Sequence, residues 1–250
     1  MDRAFQFNSR RIKAIMIKEL RDFRRNRFVI VTMMLLPIIF ILAPLISIFS
    51  IKAGVLSPQI QTRIGISLFY MLLIPAIVPT VISAYSVVGE KEQGTLEPIL
   101  ITPISREEFL IGKALAAVVP AVAVAYFVFG IFLLATSLFA SAQIHSVIFN
   151  GPRLLIQFVY TPLIAGWSIW ACLAISSRTN DVRVAQQLST LASLPPLLIV
   201  VLFATDVISP TIKYAIYFAI LLLLINLAGW KLVSRLFNEE RLITGSTRNG

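Results

Sequence analysis

Charged residues, cysteine and histidine are scarce in this chain. Of its 250 residues, 14% are charged, and Cys172 and His145 are the single members of their types. One cysteine excludes an internal disulfide and a thiolate metal cluster, and one histidine excludes a zincin motif. The chain also lacks the phosphate-loop pattern G-x-x-x-x-G-K-[ST], so we expect that it neither hydrolyses ATP nor holds a cofactor of its own.

Apolar residues dominate instead. They make up 58% of the chain, and the mean hydropathy is +0.87, which is more apolar surface than a soluble domain of this size can cover. We therefore predict an all-α integral membrane protein. Six apolar segments are long enough to cross the hydrocarbon, at about 28–51, 64–88, 110–139, 154–177, 187–207 and 211–233. They make a transmembrane domain of 28–233, between an N-terminal segment (1–27) and a tail (234–250).

The basic residues predict the orientation of these spans. Placing both termini in the cytoplasm puts 18 of the 22 Lys and Arg residues on the inner side. The positive-inside rule favours that arrangement. The sequence therefore predicts a multi-pass protein of the cell membrane, with both termini and the polar loop 89–109 on the cytoplasmic side.

Residues 9–27, SRRIKAIMIKELRDFRRNR, predict an amphipathic helix. Its basic face suits anionic lipid headgroups at the membrane interface, and because it adjoins a span we do not expect it to bind nucleic acid. Glu19 lies in the middle of the apolar face. Two interpretations stay open for this carboxylate: a local partner for Lys18 or Arg24 at the rim of the helix, or an ion pair with another cytoplasmic segment.

The loop 89–109 contains a second, short helix in our prediction. Gly94 ends the preceding helix, Thr95 caps a new one at 95–102, and Pro98 is tolerated in its first turn. Pro103 ends it. Its apolar face is made by Leu96, Ile99 and Leu100.

After Pro103, the pattern S-x-x-E at Ser105 and Glu108 predicts a capping box that opens the next long helix. The short helix is thus held between two long ones. The pattern alone leaves two functions open for it: a loop that lies on lipid, or a docking element for a soluble partner.

The whole run GEKEQGTLEPILITPISREEFLIGK, residues 89–113, resembles the segment after the second span of ABC-2-type permeases, whose fold is like that of the ABCG exporters. K-E-L and R-N in the N-terminal helix, and S-x-R and A-Q-Q in 176–187, extend the resemblance. It implies that 95–102 is the coupling helix seated on an ATPase. The residues implied in coupling are Glu19, Glu90, Glu92, Gly94, Thr95, Leu96, Glu97, Pro98, Ile99 and Leu100. The connection 206–212 departs from the ABCG pattern, which has a long external insertion there.

Hydroxyl and amide side chains are concentrated in the second and fifth spans. Either they face a cavity, or each is satisfied by its own helix backbone. The resemblance implies that these two spans line the transport pathway. The implied lining residues are Tyr70, Thr80, Ser83, Gln187, Ser189, Thr190 and Ser193. Prolines recur in the spans, including Pro195 and Pro196, and predict kinks or local unwinding.

The resemblance implies a permease subunit rather than an enzyme. Its expected partners are an ABC ATPase chain, which would bind ATP and magnesium, a second permease copy or a sister permease, and membrane lipid. Because no charged residue lies in the middle of a span, the expected cargo is lipophilic or amphipathic. The direction of transport, export, is implied only by the resemblance to the family. The alternative is an ion-coupled carrier or a channel that works without an ATPase.

Overall fold

The computed structural model describes residues 8–51, 57–92 and 104–236. These residues form nine helices, and no strand occurs among them. In chain order they are α1 (Ser9–Arg25), α2 (Arg27–Phe49), α3 (Pro58–Glu92), α4 (Arg106–Phe139), α5 (Ala142–Ile148), α6 (Gly151–Ser176), α7 (Val182–Ala192), α8 (Leu194–Ala204) and α9 (Ile212–Leu236).

Six helical segments are long and apolar enough to cross a membrane, which confirms the predicted fold class. They are α2, α3, α4, α6, the α7–α8 pair and α9. Two of them, α3 and α4, run for 35 and 34 residues. At about 1.5 Å per residue, each is longer than the roughly 30 Å hydrocarbon core. Their charged residues lie near the helix ends: Arg63, Glu90, Lys91 and Glu92 in α3, and Arg106, Glu107, Glu108 and Lys113 in α4.

The helix boundaries follow from local capping. Asn26 separates α1 from α2 by one residue, and its side-chain oxygen accepts from the backbone N–H groups of Phe28 at 3.0 Å and Val29 at 3.3 Å. At the start of α4, the Glu108 N–H donates to Ser105 Oγ at 3.2 Å, and the Ser105 N–H donates to Glu108 Oε2 at 3.0 Å. The predicted capping box is confirmed.

The fifth span is broken. Ser193 separates α7 from α8, and Pro195 and Pro196 stand in the first turn of α8, where missing N–H donors cost little. Elsewhere the helices continue through their prolines. The short helix α5, in the connection between α4 and α6, was not predicted.

Helix α3 is the centre of the packing. Of its most apolar window, 72% is buried, against 17% for α2 and for α9 at the periphery. Gly65 permits one close contact of α3, because a Cβ atom at that position would lie 2.1 Å from the Ala204 carbonyl oxygen. The second and fifth spans are therefore packed backbone to backbone at this end.

Candidate functional site

The whole of the predicted coupling helix at 95–102 lies outside the described residues. This holds for Gly94, Thr95, Leu96, Glu97, Pro98, Ile99 and Leu100, and also for the side chain of Glu92, the last residue of α3. The structure does describe the two helix ends that flank it, as well as Glu19 and Glu90. The site is therefore built from the ends of α3 and α4 and from α1.

Helix α1 is docked on α4 by its apolar face. Ile15 and Phe23 are buried, and Glu19 is buried between them. Gly112 on α4 makes this contact possible, because a Cβ atom there would lie 2.7 Å from Ile15 Cγ2. The amphipathic pattern that predicts α1 thus also identifies the face that it buries.

An ion cluster joins α1, α3 and α4 behind this face. Lys113 Nζ lies 2.9 Å from Glu19 Oε1, and both residues are almost fully buried, with exposed fractions of 1% and 2%. Ser86 of α3 bridges them: its hydroxyl accepts from Lys113 at 2.6 Å and donates to Glu19 Oε2 at 2.5 Å. Each helix contributes one group, so none can move away without breaking a buried polar contact.

Glu90 extends the cluster towards the end of α3. Its Oε2 lies 2.8 Å from Lys113 Nζ, and its Oε1 accepts from Lys18. Lys18 also lies 3.2 Å from Glu19 Oε1 and 3.5 Å from Asp22 Oδ2. Two lysines therefore neutralise the two buried carboxylates, while Asp22 lies at the exposed rim.

The electrostatics favour the charged forms. Burial alone would raise the pKa of Glu19, but Lys113, the Ser86 hydroxyl and Lys18 outweigh it and hold that pKa below its ordinary value. Burial likewise opposes the charge on Lys18, yet Glu90 and Glu19 raise its pKa above the ordinary value. Removing one member of such a buried pair leaves the other charge uncompensated, which typically costs about 3–5 kcal/mol.

Both interpretations of Glu19 are present in the structure. It contacts Lys18 locally, and it also forms an ion pair with Lys113 and a hydrogen bond with Ser86, which belong to distant segments of the chain. Lys113 was not predicted as the partner of Glu19. Two features of the sequence pointed to the pair. Lys113 follows the capping box by about two helical turns, and Glu19 lies on an otherwise apolar helix face.

A second contact holds the beginning of α1 to the beginning of α4. The backbone N–H of Asn8 donates to Glu108 Oε1 at 2.8 Å, and Arg11 lies 3.6 Å from Glu108 Oε2. The capping carboxylate of α4 therefore also fixes α1. Helix α1 is attached at both its beginning and its middle.

Lys91 connects the end of α3 to the loop between α6 and α7. Its Nζ donates to the carbonyl oxygens of Ser176 and Ser177, both at 2.8 Å, and of Thr179 at 3.2 Å. These carbonyls lie at the C-terminus of α6, where a cation satisfies acceptors that the helix leaves unpaired. This contact was not predicted, because no local pattern indicates which carbonyl groups a lysine side chain will reach.

The predicted pathway residues are partly brought together. Helices α3 and α7 pack against each other, and Thr80 Oγ1 lies 3.4 Å from Thr190 Oγ1. Four of the hydroxyls bond to carbonyls of their own helix, as the alternative interpretation expects: Thr80, Ser189, Thr190 and Ser193. Ser83 is buried, Tyr70 is half-buried and Gln187 is exposed. Their role in lining a pathway stays a prediction.

Comparison with known protein families agrees with this architecture. Residues 13–230 match the family described as ABC-2 family transporter protein. A search of curated proteins found no match. The family match covers most of the chain, including most of α1, the ion cluster, the first five spans and most of the sixth. The chain therefore belongs to the ABC-2 family of transporter proteins and is a permease-type, multi-pass membrane subunit.

Proposed function

We propose that this chain is the permease of an ATP-driven exporter and that a separate ATPase subunit docks on residues 95–102. The buried cluster of Glu19, Lys113, Ser86 and Glu90 carries the proposal. It joins the two helices that enter and leave the docking segment. A plain lipid-facing loop gives no reason to bury two lysine–carboxylate contacts at its base.

The cluster makes α1 and the adjoining ends of α3 and α4 one mechanical unit. A force applied to residues 93–103 cannot separate these helices without leaving a buried charge without its partner. That costs several kcal/mol of free energy, about 3–5 kcal/mol for a buried pair. ATP-driven closure of two ATPase subunits would therefore displace the unit as a whole. Two permeases, identical or sister chains, would be moved together.

Two contacts would carry the displacement further. Lys91 ties the end of α3 to the carbonyls that precede α7, so movement of α3 also pulls on the fifth span. The fifth span is broken at Ser193, and a break between two helices is a natural hinge. In this mechanism α7 follows the cytoplasmic unit while α8 stays packed on Gly65.

The cargo follows from the composition of the spans. Charged residues of the described spans lie near the helix ends, so the membrane interior offers hydroxyls and apolar side chains. Such surfaces suit a lipophilic or amphipathic molecule rather than an ion. ATP and magnesium would be bound by the ATPase chain.

Reconstitution tests the proposal. We expect the permease and its ATPase together in liposomes to move a fluorescent amphipathic probe only when ATP is supplied, and the permease alone to move none. Transport by the permease alone, driven by a proton or sodium gradient, would contradict the proposal and favour an ion-coupled carrier or a channel.

A further inference from the structure

A cavity opens between the second half of α1 and the end of α3, beside the ion cluster. Its volume is about 350 Å³. Its wall includes Asp22, Arg25, Asn26 and Tyr85, together with two members of the cluster, the part-exposed Lys18 and the buried Glu90. The coupling mechanism does not use this space.

Three hydrogen-bond donors in the wall are uncommitted. Arg25 is exposed and has no ion pair or hydrogen bond within the described parts of the chain. Asn26 uses its side-chain oxygen to cap α2, which leaves its amide NH₂ as a donor. The Tyr85 hydroxyl likewise bonds to none of the described residues. One guanidinium, one amide and one phenol make a donor set for a phosphate group.

The cavity lies at headgroup depth. Asn26 is the junction between the interfacial helix α1 and the first span, which begins at Arg27. Beside it, the rings of Phe28 and Tyr85 lie 5.0 Å apart, and aromatic side chains are typical of the membrane interface. The positive-inside rule places this end in the cytoplasmic leaflet. A phosphate there would belong to a phospholipid.

The acidic side of the cavity selects the headgroup. Glu90 is neutralised by Lys113 and Lys18, whereas Asp22 is half exposed and its sole ion pair within the described chain is the one at 3.5 Å to Lys18. Asp22 precedes Arg25 by three residues, so the two side chains stand side by side on the helix. A carboxylate beside a guanidinium complements a group that carries both an ammonium and a phosphate.

We propose that this cavity binds the headgroup of a phosphatidylethanolamine-type lipid of the cytoplasmic leaflet. The phosphate faces Arg25, Asn26 and Tyr85, and the primary ammonium faces Asp22. A lipid bound there bridges α1 and α3 next to the ion cluster. It would couple the lipid environment to the position of α1.

Native mass spectrometry of the delipidated full-length permease tests the site. The probes are phosphatidylethanolamine and phosphatidylglycerol with identical acyl chains. We expect tighter binding of phosphatidylethanolamine, weakened on the order of tenfold by Arg25→Ala, which removes a charge-assisted contact. Arg25→Lys should keep most of the binding. Arg24→Ala is the matched control, since Arg24 is equally exposed on the same helix but outside the cavity wall.

Further arms separate the other occupants. Asp22→Asn should lower the preference for phosphatidylethanolamine over phosphatidylglycerol. Soluble glycerophosphoethanolamine and inorganic phosphate should compete only weakly, because neither has acyl chains. Equal lipid affinity of the wild type and Arg25→Ala would overturn the proposal. So would full competition by inorganic phosphate, or displacement of the lipid by the ATPase subunit, which would make the cavity a protein-docking surface.

Discussion

Glu19 and Lys113 are 94 residues apart in the sequence and form a buried ion pair with an N–O distance of 2.9 Å. Glu19 comes from the amphipathic helix that precedes the first span, and Lys113 from the helix that follows the proposed docking segment. The pair therefore closes a loop of the chain that contains the first and second spans. It explains why a charged residue stands in the middle of the apolar face of α1.

Lys113→Met removes the central cation of the cluster. Glu19 and Glu90 then lose their shared partner while buried, so we expect the free energy of unfolding to fall on the order of 3 kcal/mol. Thermal or denaturant unfolding of the purified permease measures this loss. Lys18→Met is the control: its side chain is 45% exposed, and we expect a loss within about 1 kcal/mol. Equal losses of unfolding free energy in the two variants would show that the burial of Lys113 does not increase its contribution to stability.

The cluster also predicts a dependence on pH. The pKa of Glu19 is held below its ordinary value of 4.5, so its carboxylate contributes stability above that pH and loses it as the pH falls through the lowered pKa. The charged groups that face it are Lys113 and Lys18. We expect the melting temperature of Glu19→Gln to lie below that of the wild type near neutral pH, and the difference to shrink as the pH falls from about 6 to about 3. A difference that stays constant with pH would contradict an ionised Glu19.

Lys91→Met tests the link from α3 to the loop between α6 and α7. The three carbonyls at the end of α6 lose their donor, while the ion cluster keeps all of its members. We expect the ATPase to remain bound and to hydrolyse ATP, with transport per ATP reduced several-fold because α7 no longer follows α3. Lys231→Met, an exposed lysine on α9, should leave the ratio unchanged. Normal coupling in Lys91→Met would contradict this route.

The pathway hypothesis is tested at Thr80, where the second and fifth spans meet. Thr80→Val removes the hydroxyl near Thr190 with little change in volume, and avoids the strain that a larger side chain would cause at a fully buried position. If the hydroxyl contacts cargo, substrate choice or transport rate changes while the melting temperature stays close to that of the wild type. Ser137→Leu on the exposed face of α4 is the control. Unchanged transport of several amphipathic probes would assign Thr80 to helix packing alone.

Local patterns predicted much of the fold. The capping box of Ser105 and Glu108, the apolar face of α1 and the break near Pro195 and Pro196 each depend on residues within a few turns of one another, so the sequence displays them directly. The partners of Glu19 and Lys91 could not be predicted in the same way. They lie 94 and at least 85 residues away, and only the packing of the helices brings them within reach.

The most direct test of the account is co-purification of the ATPase with Leu96→Ala/Leu100→Ala. Truncating two apolar anchors that are buried on a partner costs on the order of 2 kcal/mol or more each. We expect the ATPase to be lost from this variant while the permease keeps its melting temperature, because the substitutions leave every member of the ion cluster in place. Glu97→Lys should keep the ATPase bound but transport poorly. A charge at the rim of an interface contributes more to the orientation of the two partners than to their affinity. Glu239→Lys in the tail is the control, and it should leave both ATPase binding and transport unchanged. Full ATPase binding and full transport in the double alanine variant would contradict the claim that residues 95–102 are the docking segment.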